Sequence, residues 1–140
     1  MTFMATRPLR RPPLLVALQI EATVVMSLAI GQAGLAAGFL GGEAGLQPLH
    51  GLNAYALLAV TIALIITAVA YRRGGGPRWP VLAGAVLLVV ETLQLVLARF
   101  EVVGLHIFCG VLFVVMATLL TSYLFRPGFV PATHRPAVRG

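Results

Sequence analysis

Residues 105–125 read LHIFCGVLFVVMATLLTSYLF, a stretch without a single charge. A helix needs about 20 mostly apolar residues to cross the hydrocarbon core of a bilayer. Membrane barrel strands are shorter and alternate apolar with polar residues, and this stretch does not alternate. In lipid every backbone polar group must find an internal partner, so an unalternating run of this length is expected to be helical. Three further stretches have the same character, at 14–40, 51–71 and 80–98. The expectation is an all-α fold, an integral membrane four-helix bundle spanning residues 14–126. Residues 1–13 read as a basic cytoplasmic N-terminus and residues 127–140 as a mobile cytoplasmic tail.

Composition agrees. The chain has 140 residues, of which 59% are hydrophobic and 10% charged, and its mean hydropathy is +0.97. A soluble domain carries about 25% charged residues. The net charge of +6 does not point to nucleic acid. All ten basic residues are arginine, and nine fall in three groups: Arg7, Arg10, Arg11; Arg72, Arg73, Arg78; and Arg126, Arg135, Arg139. Each group flanks an apolar stretch, as in cytoplasmic loops that meet anionic headgroups of the bilayer. The expected location is the cell membrane, multi-pass, with both termini cytoplasmic. Gln19 and Glu21 interrupt the first stretch and favour a retained span over a cleaved leader.

Local chemistry marks the boundaries. Pro48 is expected to precede the second helix, and Gly74-Gly75-Gly76-Pro77 to break the chain after it. Pro80 suits a first helical turn, where its missing N–H is no loss. Arg126-Pro127-Gly128 closes the fourth helix.

The chain also reads as two repeated hairpins. Leu49-His50 opens the second span and Leu105-His106 the fourth. A glutamine precedes each histidine, Gln32 in the first span and Gln94 in the third. Such a repeat brings matching depths of the second and fourth helices toward the bundle axis. Both histidines then fall at the outer face, in the first turn of an inward-running helix. Each has a small residue one turn on, Ala54 and Gly110, and residues four apart share a helix face. Two imidazoles facing each other over small residues suit a flat cofactor, and a haem iron takes an axial pair of this kind. Arg99, in the outer loop, could pair with a haem propionate. Zinc would need further ligands from Glu43 or Glu101. Copper could draw on Cys109, which lies one residue off the face of His106.

Two acids, Glu21 and Glu91, lie well inside the spans, where a carboxylate is costly and points to a functional role or a buried hydrogen bond. Gly34, Gly38 and Gly42 form a four-residue stripe suited to close packing inside the bundle or to a homodimer face.

The paired Leu-His starts and the glutamine-bearing first span resemble one half of haem A synthase and other small four-helix b-type cytochromes, including uncharacterised bacterial four-helix membrane proteins. The resemblance implies haem b with His50 and His106 as axial ligands. Gln47 stands where that family carries an acidic residue, and only one half is present. It therefore implies one-electron transfer, or service as an accessory subunit of a membrane redox complex or with a periplasmic electron carrier, rather than haem oxidation. Two other readings are open: a cofactor-free structural subunit of a larger membrane complex, and a small proton-coupled transporter using Glu21 and Glu91.

Overall fold

A computed structural model describes residues 12–126. The expected basic N-terminus up to Arg11 and the expected mobile tail from residue 127 lie outside the described residues. Four helices follow one another: α1 (Pro13–Leu40), α2 (Leu46–Arg73), α3 (Trp79–Arg99) and α4 (Val103–Leu124). All four are long and apolar enough to cross a membrane. At 1.5 Å per residue, α1 and α2, with 28 residues each, run about 42 Å and overshoot a hydrocarbon core of about 30 Å.

The second helix starts earlier than the sequence suggests. Pro48 is its third residue instead of its forerunner. The first four N–H groups of a helix have no internal acceptor, so proline is tolerated there. His50 therefore sits in the second turn of α2, whereas His106 is in the first turn of α4.

The helices form a ring in which each packs on its two chain neighbours and α1 closes against α4. Helices α2 and α4 thus face each other across a diagonal. The buried residues recur at helical spacing: Leu15, Leu18, Ala22, Val25 and Ala29 on α1, and Leu57, Thr61, Leu64 and Ala68 on α2. Leu87 on α3 and Phe113, Ala117, Leu120 and Leu124 on α4 complete this core. The outer faces are apolar too, with Val89, Leu52, Phe100 and Phe108 exposed, as helices do when their surroundings are lipid.

Polar side chains act as ties. Gln19 donates through Nε2 to the carbonyl of Leu124 at 2.8 Å, capping an orphan acceptor at the end of α4. Thr121 donates to the carbonyl of Ala22 at 3.0 Å. Both ties join α1 to α4. Glu21, deep in α1, accepts from Thr67 of α2 at 2.9 Å. Elsewhere Thr23, Ser27, Thr92 and Thr118 turn their hydroxyls back to the carbonyl four residues earlier.

Three helices end in the same way. After α1 the N–H of Glu43 reaches Gly38 O, after α2 that of Gly76 reaches Tyr71 O, and after α3 that of Val102 reaches Leu97 O. This six-to-one bond needs a left-handed residue just before its donor. Gly42 (φ 110°) and Gly75 (φ 91°) supply it freely, but in the third case Glu101 does so at φ 56°. Of the glycine stripe, Gly38 abuts Leu46 and Gly42 makes this turn, while Gly34 faces open space. Gly84 lets α3 approach α2, since a Cβ there would meet Ile65 Cγ1 at 2.8 Å and Leu64 Cδ2 at 3.1 Å.

Two outcomes follow for thermal unfolding in detergent. Glu101→Gly should raise stability by about 1 kcal/mol by removing a left-handed side chain, and an unchanged midpoint would contradict the turn. Gly84→Val should cost about 1–3 kcal/mol through overpacking, and a midpoint equal to wild type would contradict the close α2–α3 approach.

Candidate functional site

The packed core stops short of the end where α1 turns into α2 and α3 into α4. Ala29, Leu57 and Phe113 are the last layer of its continuous cluster, with Leu97 and Cys109 buried separately beyond it, and they line a cleft of 460 Å³ between α1 and α4. Beyond them the α1 wall is built from Ala33, Ala36 and Ala37, and small side chains leave the space open. A smaller cleft of 130 Å³ lies between α2 and α3, lined by Ala54, Tyr55, Glu91 and Ala98 among others. Gln32, His50, Gln94 and His106 line both clefts. These four side chains therefore stand where the two openings meet.

The two imidazoles come from the diagonal pair of helices, and their ring centres lie 6.2 Å apart with the planes inclined at 63°. Each ring is anchored in the same manner. His50 Nδ1 is 3.1 Å from the carbonyl oxygen of Gln32, and His106 Nδ1 is 3.0 Å from that of Gln94. A carbonyl can only accept, so Nδ1 carries the proton in both rings. In a neutral ring Nε2 then keeps its lone pair, the state that a metal-bound histidine adopts when a carbonyl holds its other nitrogen.

Gln32 holds His50 from both sides. Its side-chain Nε2 donates to His50 Nε2 at 3.1 Å, while its own Oε1 accepts from Asn53 Nδ2 at 2.6 Å. Asn53 donates a second bond to the carbonyl of Leu28 at 3.0 Å. The edge of Phe39 packs against the His50 ring at 5.3 Å. Asn53 and Phe39 did not emerge from sequence reasoning. Asn53 is the chain's one asparagine and lies three residues after His50, which is the only sequence signal for it.

The other expected residues divide. Ala54 lines the smaller cleft and Gly110 the larger. A Cβ on Gly110 would stand 3.1 Å from Gln94 Oε1, so the room it leaves is taken by the Gln94 amide. Arg99 is exposed in the last turn of α3, next to Ala98, and lines neither cleft. Glu91 is 3% exposed and borders the smaller cleft, and neither carboxyl oxygen reaches a hydrogen-bond partner. The Thr61 hydroxyl faces it from α2 without bonding geometry. Glu21 lies away from the histidines, on the Thr67 side of α1. Among the described residues no three His, Cys, Asp or Glu side chains gather as a metal site, so Glu43, Glu101 and Cys109 do not join the imidazoles.

No protein-family model matches the chain, nor does any curated protein or solved structure.

The Asn53 network ties α2 to α1 by side-chain bonds that are worth about 0.6–2 kcal/mol each within a membrane. Asn53→Ala should therefore lower the unfolding midpoint clearly. Thr92→Ala, which loses only a bond within its own helix, should shift it little. Equal shifts in the two variants would show that the network does not hold the helices together.

Proposed function

We propose that the protein holds one b-type haem between His50 and His106 and serves one-electron transfer, as a small carrier or as an accessory subunit of a membrane redox complex. The observation that carries this reading is the pair of imidazoles 6.2 Å apart across the bundle diagonal, each fixed through Nδ1 to a glutamine carbonyl. Metal–imidazole bonds are about 2 Å long, so two rings gripping one ion from opposite sides have centres roughly 6 Å apart. A bis-imidazole iron site needs no third protein ligand, because the porphyrin supplies the remaining four donors.

When bound, the haem supplies a ferric/ferrous couple whose potential its axial ligands and surroundings tune. The chain's own groups do the rest. The Gln32 and Gln94 carbonyls orient the rings and make their Nε2 atoms more basic. The Gln32 amide, now bonded to His50 Nε2, must turn away to release it, while its Oε1 stays held by Asn53. The two clefts that meet at the histidines offer room for the ring's edges, and the Gln94 amide must leave its place over Gly110. Arg99, exposed in the last turn of α3 and outside both clefts, would have to reach inward to serve as the cation for a propionate. The matched glutamine–histidine bonds support two repeated hairpins. The arginine distribution supports cytoplasmic termini, which puts the haem near the outer leaflet, within reach of a periplasmic or membrane-bound electron carrier.

The unpartnered carboxyl of Glu91 favours a second reading, proton-coupled transport. It predicts proton flux into vesicles that Glu91→Gln abolishes.

Optical spectra of the purified protein, incubated with haemin and freed of excess, test the first reading. A Soret band with a sharp α band on reduction should appear in the wild type and be lost or blue-shifted in both His50→Ala and His106→Ala. Thr92→Ala, away from both clefts, should keep it. Protein that stays colourless, or binds haem equally well without either histidine, overturns the proposal.

A further inference from the structure

A third opening lies at the other end of the bundle and plays no part in the haem reading. It is a groove of 320 Å³ between α3 and α4. Trp79, Ala83 and Leu87 form its α3 wall at four-residue spacing, and Met116, Leu120 and Tyr123 form its α4 wall. Ala83 is the small residue in the middle of the α3 wall. The rims, among them Leu82, Val86 and Leu119, are more than half exposed, so the groove opens sideways to whatever surrounds the bundle.

Its end is chemically different from its length. Trp79 and Tyr123 meet edge to face there, with ring centres 5.9 Å apart. The guanidinium carbon of Arg126 lies 3.9 Å over the Tyr123 ring, and aromatic faces hold cations in this way. Arg78 directly precedes Trp79, and Arg72 and Arg73 end the neighbouring helix. Among the described residues no acid lies at this end. Glu43 and Glu101 lie in the turns at the opposite end, Glu91 is buried beside the histidine cleft, and Glu21 is bonded to Thr67 between α1 and α2.

An apolar trough along the helices that finishes in an aromatic pair and a seated cation matches a molecule with a hydrocarbon chain and an anionic head. We infer that the α3–α4 groove is a specific site for one anionic glycerophospholipid, with an acyl chain along Ala83 and the phosphate at Arg126 and Arg78. Amphipathic rings such as Trp79 and Tyr123 are enriched where membrane spans meet headgroups. The positive end of α3 adds to the attraction.

Native mass spectrometry of the full chain released from detergent tests the site, with phosphatidylglycerol and phosphatidylcholine of identical acyl chains as probes. One phosphatidylglycerol should be retained per chain and should raise the unfolding midpoint, whereas phosphatidylcholine should do neither. Inorganic phosphate alone should leave the midpoint unchanged, which separates a lipid site from a bare anion site. Arg126→Gln should weaken phosphatidylglycerol binding about five-fold. Tyr123→Leu, which removes the seat but keeps every charge, should weaken it as well. Ala83→Phe should block the groove, with circular dichroism confirming that the helices persist. If Ala83→Phe does not fold, the Arg126 and Tyr123 variants decide. Equal retention of the two lipids, stabilisation by phosphate alone, or binding indifferent to Arg126 and Tyr123 overturns the inference.

Discussion

Hydrocarbon offers a polar side chain nothing to bond, and that scarcity organises the interior of this bundle. Each polar group inside must find a partner on its own helix or on a neighbouring one. Hydroxyls near the outer faces turn back to their own helix, which fixes nothing between helices. Gln19, Thr121, Asn53 and Gln32 reach across, and the helices they join are those that pack. The ties at the arginine end close α1 on α4. The ties at the opposite end bind α1 to α2 and hold one imidazole. Glu91 and Thr61 are the exceptions, two buried polar groups face to face without a bond. Glu91 borders the smaller histidine cleft, where a structure built only for stability would carry an apolar side chain.

The histidine site exists because packing gives out. Through the middle of the bundle, leucine, valine and phenylalanine fill the axis. Past Ala29, Leu57 and Phe113 the α1 wall falls to alanines, and the bundle opens on two sides. Into that space α2 and α4 deliver rings from diagonal positions, and α1 and α3 deliver the glutamine carbonyls that aim them. The same bond, formed once by His50 with Gln32 and once by His106 with Gln94, sets both rings in the same tautomer. Such a pair suits a shared ligand better than two unrelated surface histidines would.

Much of this was legible in the sequence because a span is a matter of length and charge. Residues 14–40, 80–98 and 105–125 fall within two residues of α1, α3 and α4. The start of α2 lies earlier than the sequence suggests because Pro48 sits inside the initial helical turn, where its missing N–H costs nothing. The presence of a glutamine before each histidine could also be read. What each glutamine does could not, since the acceptor is its backbone carbonyl, a group every residue has. Nor could periodicity reveal which face of each helix points inward, because lipid leaves the outer face as apolar as the inner one. Glu101 hid the third helix end for a related reason: the turn favours glycine, and the chain uses a residue that gives no such signal.

Low-temperature electron paramagnetic resonance of the haemin-loaded, oxidised protein tests the central claim most directly, because it reports the axial ligands of the iron. Two imidazoles predict a low-spin ferric signal that becomes high-spin when either His50 or His106 is replaced by alanine. A high-spin signal in the wild type, or a low-spin signal that survives both replacements, would contradict the shared imidazole pair.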